Sequence, residues 1–395
     1  MSQEEGHSQI KERINRLQRM LKKQEMDGAL LVERVDVYYF SGTDQDAHLW
    51  IPTQGEPLLM VRKSVNRAVQ DSPLSNVVQL NGFSHLPGLI QGHSGDIPGR
   101  IGLELDVLPF GFYRAYQKHF PETELLDIWP SIRKIRMIKS SYEIACLQRA
   151  ARMADCMYQK VPEFLMEPVS ENDLAARVEF YYRSLGHPGV VPTRGFNQLP
   201  LYGHIMAGKN AALPSNSAGP TGGRGLGPFL SQSAGMDKIQ KNEPIIVDYV
   251  AGVEAYNSDQ TRIFALGKLK DELVKAHEAM RIIQNTLAEK GQPGMVTGDL
   301  YQLALDMAQS AGLAENFMGY PVPVPFVGHG VGLELNEWPV IGRNMRIPLE
   351  VGMTIALEPK VVFPDKGVVG IENTFVVTPH GMERLNRFPD DIVVC

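Results

Sequence analysis

Four acidic residues and one histidine stand out by their types and spacing, and all but Asp259 lie in or beside an apolar or glycine-rich run. Asp248 follows the apolar segment Pro244–Val247, and Asp259 comes eleven positions later. Carboxylates in apolar surroundings need a partner, and two that lie close together repel each other unless a cation lies between them. We expect a hairpin with its turn at Ala251–Gly252 to bring the two aspartates side by side. The pair therefore predicts a cation site.

Three residues nearer the C-terminus extend this pattern. His329 has a glycine on each side, which we expect to allow close backbone approach to a bound group. Glu358 ends the strand-like run Met353–Leu357, and Glu372 interrupts the apolar run Val368–Val377. Taken singly, Asp248 is more simply a turn or cap residue and His329 a core or surface histidine. Only the ordered set indicates a shared function.

The complete set, which we call the five-residue cluster, is Asp248, Asp259, His329, Glu358 and Glu372. The only basic residue near Glu358 is Lys360. Carboxylates and imidazole suit divalent Mn, Fe, Co or Zn rather than a thiolate-type zinc site. The oxygen donors are too many for one four-coordinate ion, so the set predicts two metal ions that share bridging carboxylates.

The spacing of the cluster resembles that of the pita-bread metallopeptidase family, which includes methionine aminopeptidase, aminopeptidase P, prolidase and the metal-free creatinase. The family pattern is an Asp, ten residues, a second Asp, then His-Gly-x-Gly-Leu, Glu-Pro and Ile-Glu. The chain matches it at Asp248, Asp259, His329–Leu333, Glu358–Pro359 and Ile371–Glu372. Residues 1–130 also resemble the N-terminal domain of the creatinase, prolidase and aminopeptidase P branch, which methionine aminopeptidases lack.

This resemblance implies an α/β N-terminal domain of the creatinase type over residues 1–132 and an α+β pita-bread catalytic domain over residues 138–395. It also implies a homodimer that acts on a small peptide or another small molecule. Two divalent ions (Mn, Co, Zn or Fe) would activate a bridging water for attack on a carbonyl. The roles it implies are chelation of one ion by Asp248, chelation of the other by His329 and Glu358, bridging by Asp259 and Glu372, and proton transfer by Glu358.

The chain departs from the family where the substrate is expected. Asn336 stands at the position of a family histidine that precedes Glu-x-Pro, and Ser215 ends Ala212–Ser215 where the family has Ala-Leu-Pro-His. Asparagine donates a hydrogen bond but carries neither a proton nor a positive charge. Gly370 occupies a position that is commonly Arg in aminopeptidase P and prolidase members. These changes leave the metal ligands in place and alter the groups that meet the substrate.

Two further polar residues are candidates for substrate contact. His204 is expected either to take over proton transfer or binding, or to be a structural histidine. Arg194 is expected either to clamp a substrate carboxylate or to be structural. The glycine- and serine-rich stretch 215–235 lacks the pattern of a phosphate-binding loop, which favours a surface or lid loop.

Bulk properties limit the class of protein. A chain of 395 residues predicts two domains. The net charge of −6, without a basic stripe, argues against a nucleic-acid partner. No apolar run approaches the ~20 residues of a membrane span. The three cysteines form no CxxC pair, and the segment 1–6 is unlike a signal peptide, so we expect a cytoplasmic protein.

Hydrophobic periodicity predicts the main elements. We expect a helix over 9–26, a strand at Val37–Phe40, and a connector at Arg133–Arg136. A long helix is predicted to begin at Ser140–Ser141, and a second to follow Ser170, whose hydroxyl with Asp173 indicates a capping box. Further helices are predicted near 270–290 and 298–311.

Three functional hypotheses follow. The first is a peptidase of small peptides with an Xaa-Pro bond, of the Xaa-Pro dipeptidase or aminopeptidase P type. The second is a non-peptidase of the same fold, either a small amide or amidine hydrolase or a metal-dependent lyase; the replacement of both histidines by Ser215 and Asn336 favours it. The third is a binding protein that has lost catalysis, but such a protein has no need to keep four costly buried carboxylates.

Overall fold

The computed structural model describes residues 3–166, 168–199 and 201–395, with side chains from Ser8 onward. Met1 and Ser2, which begin the expected N-terminal segment, lie outside it. The chain divides into two units: residues 1–136 with Arg194–Gln198, and Met137–Thr193 with Leu199–Cys395. The sequence predicts a single domain boundary between residues 132 and 138. The structure differs from this prediction in one place, because the short segment 194–198 groups with the first unit.

The first unit contains one mixed sheet. Its helices are α1 (Gln3–Lys23), α2 (Arg34–Ser41), α3 (Val65–Asp71), α4 (Leu86–Ser94), α5 (Phe110–His119) and α6 (Trp129–Met137). Its strands are β1 (Gly28–Leu31), β2 (Ala47–Pro52), β3 (Leu58–Val61), β4 (Val77–Gln79), β5 (Arg100–Leu103) and β6 (Glu124–Asp127). The strand order is β4-β3-β2-β1-β5-β6, with antiparallel pairs at β1–β2 and β2–β3 and parallel pairs elsewhere. This confirms the α/β prediction.

Two local predictions in this unit are wrong. Val37–Phe40 lies inside α2 rather than in a strand, because Glu33 caps the helix by accepting from the Asp36 N–H and Gly42 ends it at φ 81°. Four apolar residues do not distinguish a strand from a buried helix turn, and here the caps decide. The predicted connector at Arg133–Arg136 is part of α6.

The second unit is built from helices and from sheets that are antiparallel except for the parallel pairing of the edge strand Val393–Val394. Its helices are α7 (Ser141–Phe164), α8 (Glu171–Ser184), α9 (Gly208–Ala211), α10 (Asp271–Lys290) and α11 (Thr297–Ser310). Its strands are β7 (Gly203–Ala207), β8 (Ile245–Val253), β9 (Tyr256–Ala265), β10 (Phe326–Gly330), β11 (Glu337–Gly342), β12 (Thr354–Leu357), β13 (Lys360–Phe363), β14 (Gly367–Gly370), β15 (Asn373–Thr378), β16 (Gly381–Arg384) and β17 (Val393–Val394). The sheets run β17-β9-β8-β7, β11-β10-β12-β15-β16 and β13-β14. This confirms the α+β prediction.

Helix packing and capping follow the sequence closely in this unit. The capping box at the start of α7 is present, as is the one at Ser170 and Asp173 before α8, and α10 and α11 match their predicted ranges. Helices α7 and α8 pack against β7 and β8 in one core, while α10 and α11 pack against β10, β12 and β14 in another. Residues 215–235 form a loop, as expected, but parts of it, Pro220–Gly223 and Ala234–Gly235, are buried rather than on the surface. No helix among the described residues combines the length and apolar character needed to cross a bilayer.

The hairpin that carries the two aspartates turns at Glu254–Ala255, not at Ala251–Gly252. Val253 pairs with Tyr256, and the two turn residues have φ values of 50° and 67°. Positive φ at both central positions defines a type I′ turn, which matches the twist of the flanking strands. The sequence does not indicate this turn because neither residue is Gly or Asn, the types that usually adopt it.

We predict that Ala255→Gly stabilises the protein. Ala255 is exposed and adopts the left-handed conformation, which is unfavourable for a residue with a Cβ. Glycine also increases the entropy of the unfolded chain, which offsets part of this benefit. The net gain that we expect in the free energy of unfolding is about 0.5–1 kcal/mol, measured by urea denaturation. The control is Ala311→Gly, at an exposed position with φ −81°, which is expected to bring no gain. Equal effects of the two substitutions would contradict the prediction.

Candidate metal centre

The two aspartates of the cluster lie on neighbouring antiparallel strands. Asp248 on β8 pairs with Thr261 on β9, and Asp259 pairs with Val250. The two carboxylates are therefore diagonal neighbours on one face of the sheet, because side chains alternate along each strand. His204 on β7 pairs with Asp248 from the other side. The hairpin thus brings the two aspartates together despite the misplaced turn.

The other three members of the cluster come from the second sheet. His329 lies on β10 and pairs with Ala356 of β12. Glu358 directly follows β12, and Glu372 directly precedes β15. An isolated bridge between Thr261 and Glu372 joins this sheet to the hairpin. All five predicted ligands therefore reach one place from two sheets.

One end of the cluster, which we call the imidazole pole, is formed by His329 Nε2, Asp259 Oδ2, Glu358 Oε1 and Glu372 Oε1. The imidazole nitrogen lies 3.8, 3.5 and 3.9 Å from these three oxygens, respectively. Single ligand atoms of Asp259, His329 and Glu372 all lie within 4.8 Å of one another. Atoms that share a tetrahedral ion at about 2.1 Å lie about 3.4 Å apart, so these separations suit one divalent ion.

The other end, which we call the lysine pole, is formed by Lys360 Nζ, Asp248 Oδ2, Glu358 Oε2 and Glu372 Oε2. The ammonium nitrogen lies 2.8 Å from the Glu358 oxygen, 2.6 Å from the Glu372 oxygen and 3.4 Å from the Asp248 oxygen. The Lys360 side chain is only 1% exposed. The sequence identified this lysine as the nearest basic residue but did not predict that it enters the cluster.

The charges of the cluster shift its proton affinities. Burial raises the pKa of Asp259 to about 7, and the negative charge of Asp248 adds to this effect. Burial and the charge of Asp259 raise the pKa of Glu372 well above its usual value. Burial alone would lower the pKa of Lys360, but the neighbouring carboxylates outweigh it and the pKa is raised. The cluster therefore has a deficit of positive charge that the lysine only partly offsets.

A second observation, independent of the distances, also supports a divalent ion at the imidazole pole. Asp259 Oδ1 is buried and has no hydrogen-bond partner among the described residues. A buried carboxylate oxygen without a partner is costly unless something outside the protein satisfies it. Together with the donor spacing, this oxygen indicates that Asp259, His329 and Glu372 suit one divalent ion, and Glu358 Oε1, 3.5 Å from His329 Nε2, is a further oxygen donor beside them.

The sequence does not predict the contacts of three supporting residues, and all three residues follow one rule. Thr261, Lys360 and Thr374 each stand two positions after a cluster member, which in extended backbone places them on the same face. The Thr261 hydroxyl donates to Glu372 Oε2 at 2.8 Å. The Thr374 hydroxyl accepts from the Asp259 N–H at 2.9 Å and donates to its carbonyl at 2.9 Å. Alternation around each ligand was the signal that could have found them.

A buried arginine holds the junction between the two sheets. Arg262 is fully buried and donates to the carbonyl oxygens of Thr261 and Glu372 at 2.8 and 2.9 Å. It also donates to the carbonyl oxygens of Pro389 and Phe388 at 2.7 and 2.8 Å. Arg262 thereby fixes the backbone on either side of the Thr261–Glu372 bridge and positions two faces of the cluster.

The glycines on either side of His329 are required for a reason other than the expected approach to a bound group. A Cβ at Gly328 would lie 2.6 Å from the Ala356 carbonyl oxygen on β12, and one at Gly330 would overlap the Trp338 carbonyl on β11. The glycines are thus required for close approach of the two flanking strands. They place His329 between those strands rather than making room for a ligand.

His204 lies beside the cluster, opposite Asp248 on the neighbouring strand. Its Nδ1 atom is buried and has no hydrogen-bond partner among the described residues. Burial lowers the pKa of His204, against the opposing charge of Asp248, so the imidazole is neutral at neutral pH. A role in proton transfer or substrate binding stays a prediction.

The remaining predicted substrate residues are placed as follows. Ser215 is partly buried in the loop after α9, where its hydroxyl accepts from the Ser217 N–H at 3.2 Å. Asn336 is partly buried in the loop before β11. Arg194 groups with the first unit, and its buried guanidinium donates to Asp36 at 2.8 Å and to Asp106 at 2.5 Å. These ion pairs favour a structural role for Arg194, while the roles of Ser215 and Asn336 stay predictions.

Comparison with known proteins agrees with this geometry. Residues 145–379 match the model of metallopeptidase family M24, and residues 13–138 match the Creatinase/Prolidase N-terminal domain. The chain is 26% identical to an Xaa-Pro dipeptidase of Pyrococcus furiosus over 96% of this chain and 98% of that protein.

Solved structures show the same fold over almost the whole chain. The prolidase of Pyrococcus horikoshii superimposes with a TM-score of 0.81 and 25% identity, covering 96% of this chain and 99% of that one. An Xaa-Pro dipeptidase of Bacillus anthracis gives a TM-score of 0.84 at 23% identity, covering 98% and 100%. Because the family model spans more than half of the residues, the chain belongs to metallopeptidase family M24, which confirms the predicted pita-bread hydrolase with a creatinase-type N-terminal domain.

Proposed function

We propose that this protein is a metal-dependent hydrolase of short peptides that cleaves Xaa-Pro bonds, as an Xaa-Pro dipeptidase or an aminopeptidase P does. The observation that carries the proposal is the imidazole pole, where ligand atoms of Asp259, His329 and Glu372 lie within 4.8 Å of one another and Asp259 Oδ1 has no partner among the described residues. The names of the M24 relatives support peptides as the substrate. They do not favour the non-peptidase alternative.

Each step of the proposed hydrolysis is assigned to particular residues of the chain. A divalent Mn, Co, Zn or Fe ion held by the cluster supplies Lewis acidity, which polarises a carbonyl and strengthens water as an acid. We assign Glu358 to accept the proton of the attacking water, as the family resemblance implies, through Oε1, which faces the imidazole pole 3.5 Å from His329 Nε2. His204, neutral beside Asp248, and Asn336 are assigned to the substrate amide, with Ser215 as a further hydrogen-bonding group.

We also propose two properties of the whole protein. The family resemblance supports a homodimer. All three cysteines are free, which supports a reducing compartment such as the cytoplasm. The family resemblance also implies a pair of metal ions, and the lysine pole bears directly on their number.

The first prediction concerns the substrate. After loading with Mn²⁺, the full-length protein is expected to release proline from Xaa-Pro dipeptides or the first residue from longer Xaa-Pro peptides. We expect kcat/KM to exceed that of matched Xaa-Ala peptides by about 10-fold or more. Retained metal without turnover of any Xaa-Pro peptide would contradict the proposal and favour an amide or amidine hydrolase or a lyase.

The second prediction concerns Asp259. Asp259→Asn removes one charged ligand atom, so we expect metal affinity to fall by roughly 100-fold or more, with activity falling in parallel. Affinity is measured by equilibrium dialysis and folding by circular dichroism. The matched control is Asp271→Asn, on an exposed residue at the start of α10, which is expected to change neither property. An Asp259→Asn variant that binds metal as the wild type does would contradict this role.

The third prediction follows from the raised pKa of Asp259. A carboxyl whose folded pKa, about 7, lies above its unfolded value of about 4 destabilises the fold wherever it is ionised. The metal-free Asp259→Asn variant is therefore expected to be more stable than the metal-free wild type at pH 8. The difference should shrink as the pH falls below 7, as measured by urea denaturation in a chelator. A less stable variant at pH 8 would show that Asp259 stabilises the metal-free fold.

A further inference from the structure

Two glutamates of the cluster each divide their oxygens between the imidazole of His329 and the ammonium group of Lys360. Glu358 directs Oε1 to His329 Nε2 at 3.5 Å and Oε2 to Lys360 Nζ at 2.8 Å. Glu372 directs Oε1 to His329 at 3.9 Å and Oε2 to Lys360 at 2.6 Å. This is the arrangement of carboxylates that bridge two cations, with an ammonium group as one of the two.

The lysine pole is built to hold that ammonium group. Lys360 is paired with Gly370 across β13 and β14, and a Cβ at Gly370 would lie 2.7 Å from Lys360 Cα and 2.8 Å from Lys360 Cγ. Any side chain at position 370 would therefore collide with the lysine stem. Gly370 is the position at which the family resemblance leads one to expect arginine. Its replacement by glycine leaves room for the side chain of Lys360 to reach the cluster.

The ammonium group uses the same oxygens that a second metal ion would need. It contacts Glu358 Oε2, Glu372 Oε2 and Asp248 Oδ2. Metals that share bridging carboxylates lie about 3.5–4 Å apart. A second ion at the lysine pole would overlap the ammonium nitrogen, because that nitrogen already lies within 2.8 Å of two of its ligand atoms.

We propose that the Lys360 ammonium group is the second cation of this centre, so that each chain binds one divalent ion, at the imidazole pole. The inference rests on the metal binding in the proposed function but not on the identity of the substrate. It replaces the pair of ions that the five ligands alone lead one to expect. The ammonium group offsets part of the negative charge of the Asp248, Glu358 and Glu372 oxygens that it contacts.

The test is the number of metal ions per chain. Full-length wild-type protein is dialysed to saturation against Mn²⁺, and bound manganese is counted by elemental analysis. Electron paramagnetic resonance then shows whether the bound ions are isolated or magnetically coupled. We expect one isolated Mn²⁺ per chain in the wild type. In Lys360→Met, which keeps the stem and removes the charge, we expect two ions per chain and the spectrum of a coupled pair.

The matched control is Lys366→Met, on a neighbouring lysine whose ammonium pairs with Glu272 on the surface. We expect it to bind one isolated ion, as the wild type does. Two ions per wild-type chain would overturn the proposal, as would a folded Lys360→Met variant that still binds only one. If Lys360→Met does not fold, the number of manganese ions bound per wild-type chain and the wild-type resonance spectrum are sufficient to test the proposal. One ion per chain without Xaa-Pro cleavage would refute the proposed function and leave this inference standing.

Discussion

Four carboxylates in one small region of the second unit cannot all remain ionised without positive charge among them. Burial and mutual repulsion raise the pKa values of Asp259 and Glu372, which shows how costly the metal-free arrangement is. One lysine offsets part of this charge, and a divalent ion at the imidazole pole would offset more. The surrounding structure is arranged to keep these groups together in spite of their repulsion.

That arrangement depends on strand pairing more than on any single contact. The hairpin of β8 and β9 supplies two carboxylates, and the sheet of β10, β12 and β15 supplies the imidazole and two glutamates. Arg262 and the Thr261–Glu372 bridge join the two sheets at the cluster itself. Because backbone hydrogen bonds fix the register, the repelling side chains have no inexpensive way to move apart. The ligand geometry is thereby preorganised before any ion binds.

Much of this could be predicted from the sequence, since most of the ligands lie in or beside apolar or glycine-rich runs and the helix caps follow local rules. The α7 and α8 capping boxes and the ranges of α10 and α11 are examples. Other features depend on tertiary partners that local patterns do not show. Val37–Phe40 is apolar enough for a strand but is capped as a helix, and the hairpin turn uses Glu and Ala in left-handed conformations. The entry of Lys360 into the cluster required knowing that Gly370 lies directly opposite.

The central claim is that the imidazole pole holds a divalent ion. Anomalous diffraction from crystals grown with Mn²⁺ or Zn²⁺ tests it most directly, because the signal locates the metal independently of any assumed ligand. A peak is expected within bonding distance of His329 Nε2 and of oxygens from Asp259, Glu358 and Glu372. The account would be contradicted by crystals without a peak there at saturating metal, or by a peak bound to other side chains.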